Sequence, residues 1–201
     1  MKMKKILILM TIVCAMAVGP CLAAGLEADL TVGSNSIDGG LHVKRDLANG
    51  FWRAGGSALY TDDDDMEYKW VEADFAVGSE TLAPGMTCDV GLKGVLGEAE
   101  DNGFSGDVGA IAFAGRIGYQ FPQLRTPVPI EVFAGFAYAP KILSFRDTEE
   151  YLAYHVGVGV RIVENASIIL KYNSYDVDFE TRSRPWDLDD SNVRLGLVMR
   201  F

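Results

Sequence analysis

Cysteine, histidine, basic residues and long apolar runs are all scarce in this chain. Of 201 residues only three are cysteine and two are histidine. Cys14 and Cys21 fall in an N-terminal segment that reads as a cleaved export signal, so Cys88 stands alone and the mature chain has no intrachain disulfide. A single cysteine without partners reads as a small apolar side chain, not a nucleophile. Lys and Arg number 18 against 28 Asp and Glu, a formal net charge of −10. The first 23 residues carry three lysines and no acid, so the remainder stands at about −13, which argues against nucleic acid as a partner. Beyond that segment no run reaches the roughly 18 apolar residues of a transmembrane helix. Internal repeats, low-complexity tracts and linkers are also missing, which leaves one domain.

The N-terminal segment has three parts. Lys2, Lys4 and Lys5 form a charged end, and Ile6 to Val18 form an apolar core too short to span a membrane. Small residues follow, with cleavage expected after Ala23 or Ala24. A lipoprotein signal is the rival reading, but Val18-Gly19-Pro20 before Cys21 is a poor lipobox. Residues 1–23 are therefore set apart as a signal peptide, and 24–201 form the domain.

From residue 25 onward the pattern has period two, and ten strands can be read from it. Their apolar sets begin with Leu26/Ala28/Leu30/Val32 and Ile37/Gly39/Leu41/Val43, continue through Val71/Ala73/Phe75/Val77 and Val156/Val158/Val160/Ile162, and end with Val193/Leu195/Leu197/Met199/Phe201. The intervening positions are small, polar or charged. Seven acids (Glu27, Asp29, Asp38, Glu72, Asp74, Asp89, Glu131) oppose eight bases (Lys44, Arg53, Lys93, Arg116, Arg161, Lys171, Arg194, Arg200). A soluble lipocalin-like barrel would turn the apolar face inward, whereas a membrane barrel turns it to lipid.

Three features favour the membrane. Trp52, Tyr119, Phe121 and Phe201 mark one end of the apolar sets, and Tyr60 and Tyr138 mark the other, as two interfacial girdles. The ionic face is nearly balanced and can pair internally. Links at 46–50, 163–166 and Pro122 to Pro129 fall at one end, and longer acidic links at 61–67, 98–106, 140–150 and 176–190 fall at the other. The expected fold is all-β: a transmembrane antiparallel up-and-down β-barrel of about ten strands. Eight remain open, because the first two strands are short and Gly-rich. Such a barrel resides in the cell outer membrane, among outer-membrane lipid and lipopolysaccharide.

Candidate sites are few. Arg194-Leu195-Gly196-Leu197-Val198-Met199-Arg200-Phe201 has the form of a barrel-assembly signal, with Gly196, Met199 and Phe201 as its key positions and the assembly machinery as its reader. Asp62 to Asp65 with Glu67, and the acids between Asp176 and Asp190, could attract divalent cations, although a solvated loop explains them as well. His42 and His155 fall on the inward face without a recognisable Ser or Asp partner motif, so no catalytic residue and no cofactor are expected.

The run Glu131-Val132-Phe133-Ala134-Gly135-Phe136-Ala137-Tyr138-Ala139-Pro140, the strand Phe51 to Tyr60 running into the Asp cluster, and Ala166 to Asp178 resemble the YfaZ family of outer-membrane proteins. The resemblance covers most of 25–201 and consists of strand patterns. It implies a small outer-membrane barrel without assigned chemistry. The 178–190 segment and Cys88 do not match it. Three roles are expected in descending order: a structural or accessory envelope protein that is no enzyme, a narrow porin-like channel, and a membrane-embedded hydrolase acting on lipid or peptide.

Overall fold

The computed structural model describes residues 25–63, 66–80, 83–122, 128–180 and 185–201. The signal segment with Ala23 and Ala24, the central Asp64 and Asp65, and most of the Pro122 to Pro129 link lie outside the described residues. The strands are β1 Gly25–Val32, β2 Ser36–Leu47, β3 Gly50–Asp62, β4 Met66–Ser79, β5 Met86–Asp101, β6 Phe104–Gln120, β7 Ile130–Ala139, β8 Thr148–Val163, β9 Ala166–Glu180 and β10 Pro185–Arg200. Each pairs antiparallel with its chain neighbours, and β10 returns to β1 to close a ten-stranded barrel. The first two strands pair along their whole facing lengths, which removes the eight-stranded alternative.

Strand pairing also fixes the barrel's dimensions. Directly opposed residues from Val32 run one way through Ile37, Tyr60, Lys69 and Glu98 to Asp107. The other way they run through Leu195, Leu170, Val158 and Val132 to Tyr119. Both walks end on β6, twelve residues apart, and that offset is the shear. With about 3.3 Å per residue and about 4.8 Å between strands, the strands tilt by roughly 40° on a radius of about 10 Å. Transmembrane barrels tilt by about 35–45°.

The apolar sets point outward over the lower part of the wall, the end that holds Gly25 and Phe201. Val90, Leu92, Phe113, Phe136, Val156 and Leu195 are exposed there. At the derived tilt this belt is roughly 25 Å tall, the height of a lipid-facing band. These apolar side chains face out of the barrel and not into its lumen, which excludes the lipocalin-like orientation. Trp52 stacks on Phe75, and Tyr119 meets Phe121 edge-on at 4.9 Å, at the lower margin of the belt. Tyr154 and Tyr172 meet at 6.3 Å near its upper margin. Cys88 is half-buried on the outward face, as a small apolar residue would be.

The upper end departs from the expected acidic loops. The 98–106 segment is not a loop: β5 and β6 run through it and join at Asn102-Gly103, whose φ angles are 49° and 81°. Both central residues of a type I′ turn need positive φ, which Asn-Gly supplies at little cost. β3 and β4 likewise continue to Asp62 and from Met66, and β9 and β10 to Glu180 and from Pro185. Only the 140–147 link is long. There β7 stops at Ala139 and residues 144–147 take its place beside β6, with Phe145 donating to the Gly109 carbonyl at 2.8 Å.

The closing seam is the shortest ladder, six residue pairs from Glu27↔Arg200 to Val32↔Leu195. Gly196 faces inward on it, and a Cβ there would overlap the Leu30 carbonyl and Thr31. Met199 faces outward opposite Ala28. Phe201 exchanges two backbone hydrogen bonds with Leu26, at 3.0 and 2.7 Å, while its ring is exposed. Gly196→Val should cost about 1–3 kcal/mol of stability, lowering the urea midpoint and weakening the compact unheated band on gels. An unchanged midpoint would show that the seam has room.

Candidate functional site

The lumen has two halves of opposite chemistry. The lower half contains the predicted ionic face, and most of its charges pair across strands. Arg200 joins Glu27 at 2.8 Å and Glu131 at 3.3 Å. Arg116 meets Asp89 at 3.1 Å, Arg53 meets Asp74 at 3.4 Å, and Lys93 meets Glu72 at 2.7 Å. Lys171 and Arg194 both hold Asp38, at 3.0 and 3.5 Å. Pairing offsets part of the hydration these side chains lose, because an isolated buried ion costs several kcal/mol.

The upper half was not foreseen. Its inward positions are Leu59, Tyr68, Trp70, Val95, Val108, Tyr151, Tyr175, Val177, Phe179 and Leu188, all buried in one cluster. Trp70 lies at the centre, stacked on Tyr68 at 4.5 Å and edge-on to Tyr175 at 5.2 Å. Phe179 stacks on Trp186 at 4.1 Å nearer the top. The cluster fills the barrel like the core of a soluble protein. The outward positions at this height are charged: Glu67, Lys69, Glu98, Asp176, Asp178, Asp187 and Asp189. The wall thus inverts its polarity on leaving the lipid belt. The signal was present in Tyr68/Trp70, Tyr175/Val177/Phe179 and Trp186/Leu188, which alternate with acids and one lysine.

Hydrogen bonds tie the halves together. The Tyr151 hydroxyl donates to Glu72 at 3.4 Å, and Arg194 donates from Nε to Ser36 Oγ at 3.0 Å. Arg194 is fully buried, with its guanidinium 5.7 Å from the Tyr175 ring centre. It is a cation beneath an aromatic face, held to a carboxylate below. Higher up, the Tyr68 hydroxyl donates to Asp190, which also accepts from Asn192 at 2.7 Å.

Below the plug lies a cavity of about 470 Å³. It runs from rim residues such as Gly25, Lys44 and Gln120 up to Leu59, Ala153 and Tyr175 at the underside of the cluster. His42 lines it, with Nε2 2.9 Å from Asp74 and Nδ1 3.8 Å from Asp29. A histidine–aspartate contact therefore exists that the sequence motifs did not show. No hydroxyl bonds the ring, because Asp74 takes Nε2 and Nδ1 has no hydrogen-bond partner. A nucleophile–base pair is not assembled there. His155 packs 6.2 Å from the Phe133 ring.

Among its described residues the acidic upper rim shows no ion-holding geometry. Tyr60 donates to Asp62 at 2.9 Å and to Glu67 at 3.4 Å. Asp178 faces Asp187, and Asp176 faces Asp189, across β9–β10. Among the described residues no three His, Cys, Asp or Glu side chains gather as metal ligands. Lys141, above the belt, bonds Glu149 at 2.8 Å and Glu180 at 2.7 Å. Those carboxylates push the Lys141 ammonium above the ordinary lysine value, and Lys141 pulls Glu180 below the usual carboxylate range.

No family model and no curated protein matches the chain. Solved structures similar to it include the translocator domain of the autotransporter NalP from Neisseria meningitidis, at 13% identity and a TM-score of 0.47, over 89% of this chain and 87% of that one. The KdgM porin follows at 9% identity and a TM-score of 0.39, over 88% of this chain and 99% of that one. The copper transporter OprC shares 16% identity at a TM-score of 0.35, over 88% of this chain. The chain spans about a third of that transporter's length, at 34%. The barrel assignment rests on this chain's own strand pairing.

Removing Asp38 would leave two buried cations without their carboxylate. Asp38→Asn should cost about 3–5 kcal/mol in urea unfolding. Lys69→Met, which breaks an exposed pair with Glu98 at 3.0 Å, should cost less than about 1 kcal/mol. Equal losses from the two would contradict a buried, charge-paired lumen.

Proposed function

We propose that this protein is a sealed outer-membrane barrel with a structural or accessory role in the envelope of a Gram-negative bacterium, of the YfaZ type. The observation that carries this reading is the aromatic cluster across the upper lumen, stacked on a charge-paired lower half. The belt height, the interfacial aromatics and the N-terminal export pattern support the outer membrane as its location. Its partners on this reading are outer-membrane lipid, lipopolysaccharide and the assembly machinery, which would read Gly196, Met199 and Phe201 on the closing strand. Catalysis forms no part of the proposal.

The porin-like alternative needs a continuous water path, and the filled upper half opposes one. Purified barrel in planar lipid bilayers should show no stable nanosiemens openings. The triple variant Tyr68→Ala, Trp70→Ala and Tyr175→Ala removes the centre of the cluster and should raise conductance well above wild type. Stable wide openings in the wild type would overturn the sealed reading. Recovery of the wild type in the soluble fraction, without a heat-dependent gel shift, would overturn the membrane location.

A further inference from the structure

We propose that the lower vestibule binds a small organic cation carrying a primary ammonium, with Asp29 as its counter-ion. The inference starts from the charge pairing of the lower lumen. Glu27, Asp38, Glu72, Asp74, Asp89 and Glu131 each hold a lysine or arginine there. Among the described residues, Asp29 is the lower-lumen carboxylate left without one. Its nearest cationic candidate is His42, whose Nδ1 stands 3.8 Å away and whose Nε2 is already bonded to Asp74.

The position of Asp29 suits a ligand. Its side chain lies across the bare backbone of Gly40, where any Cβ would displace it. It lines the cavity of about 470 Å³, several times the volume of a short diamine. Phe133 and Tyr175 line the same space and offer faces to a ligand's carbon chain. Anionic ligands are disfavoured, because the cations of this wall that approach the cavity centre already hold carboxylates. A hard metal ion needs several oxygen ligands, and the described residues supply no such set. One carboxylate in a partly dry cavity, with Ser57 and His42 on the same wall, suits an ammonium with three donors to place. The mouth opens at the lower rim, so the ligand enters from the side that holds Phe201.

Putrescine is the probe. Full-length barrel refolded in detergent is titrated calorimetrically at low salt. The wild type should show saturable one-to-one binding. Asp29→Asn should weaken it about tenfold or more, the scale of one charge-assisted contact. Asp29→Glu should retain it, and Asp187→Asn with Asp189→Asn on the outer face should leave it unchanged. A measurement without variants runs beside these: putrescine should shift the backbone amide signals of Gly40, His42 and Gly55 in the wild-type spectrum. Absence of saturable heat, equal binding by Asp29→Asn, or shifts confined to the outer acidic face would overturn the proposal. These readouts need only the folded barrel, so their failure leaves the sealed-envelope reading standing.

Discussion

Each strand of this wall must satisfy two solvents along one length. Lipid offers no hydrogen bonds, so over the belt every backbone group has to pair within a closed sheet, and outward side chains have to be apolar. Above the belt, water reverses the demand on the same strand. The chain meets both demands with one closed sheet whose side-chain polarity inverts partway up. Along Tyr68/Trp70, Tyr175/Val177/Phe179 and Trp186/Leu188 the period of two continues, with a bulge between Thr148 and Glu150 on β8; what changes is which parity is apolar. The ionic lumen and the aromatic plug are the inward halves of those two regimes.

The two halves contribute differently to stability. Buried ion pairs gain Coulomb energy and lose hydration, and the balance is close to neutral against an apolar replacement. The lower lumen is therefore a weak source of stability and a strong source of specificity, since breaking one pair costs far more than the pair adds. The plug works the other way. A fully buried large side chain contributes about 1.5–3 kcal/mol, and aromatic contacts add to it. Trp70 and its ring neighbours hold the upper barrel as a soluble core would, where lipid gives no support.

Much of the fold was legible from residue order alone. The strands and their two faces follow from a period of two, and the outward direction of the apolar sets from the interfacial aromatics and the balanced charges. The upper half was misread because acids dominate its outward positions and resemble loop composition. Tyr68, Trp70, Val177 and Leu188 alternate with those acids and mark strands, and Asn102-Gly103 marks a hairpin turn that composition hides. The pairing of His42 with Asp74 was not legible, because the two residues sit on β2 and β4 and meet only across β3. The isolation of Asp29 was hidden for the same reason, since an acid lacks a partner only relative to strands placed beside it in space.

Arg194 also marks the register of closure, reaching from β10 past β1 to Ser36 and Asp38 on β2. β10 has only six residue pairs with β1, a short zipper that could slide. A slip of one residue would turn every side chain of β10 to the wrong face. A slip of two would keep the faces correct but carry the guanidinium away from Asp38 and Ser36. The same slip would part Arg200 from Glu27, so ion pairs near both ends of the seam mark the correct register.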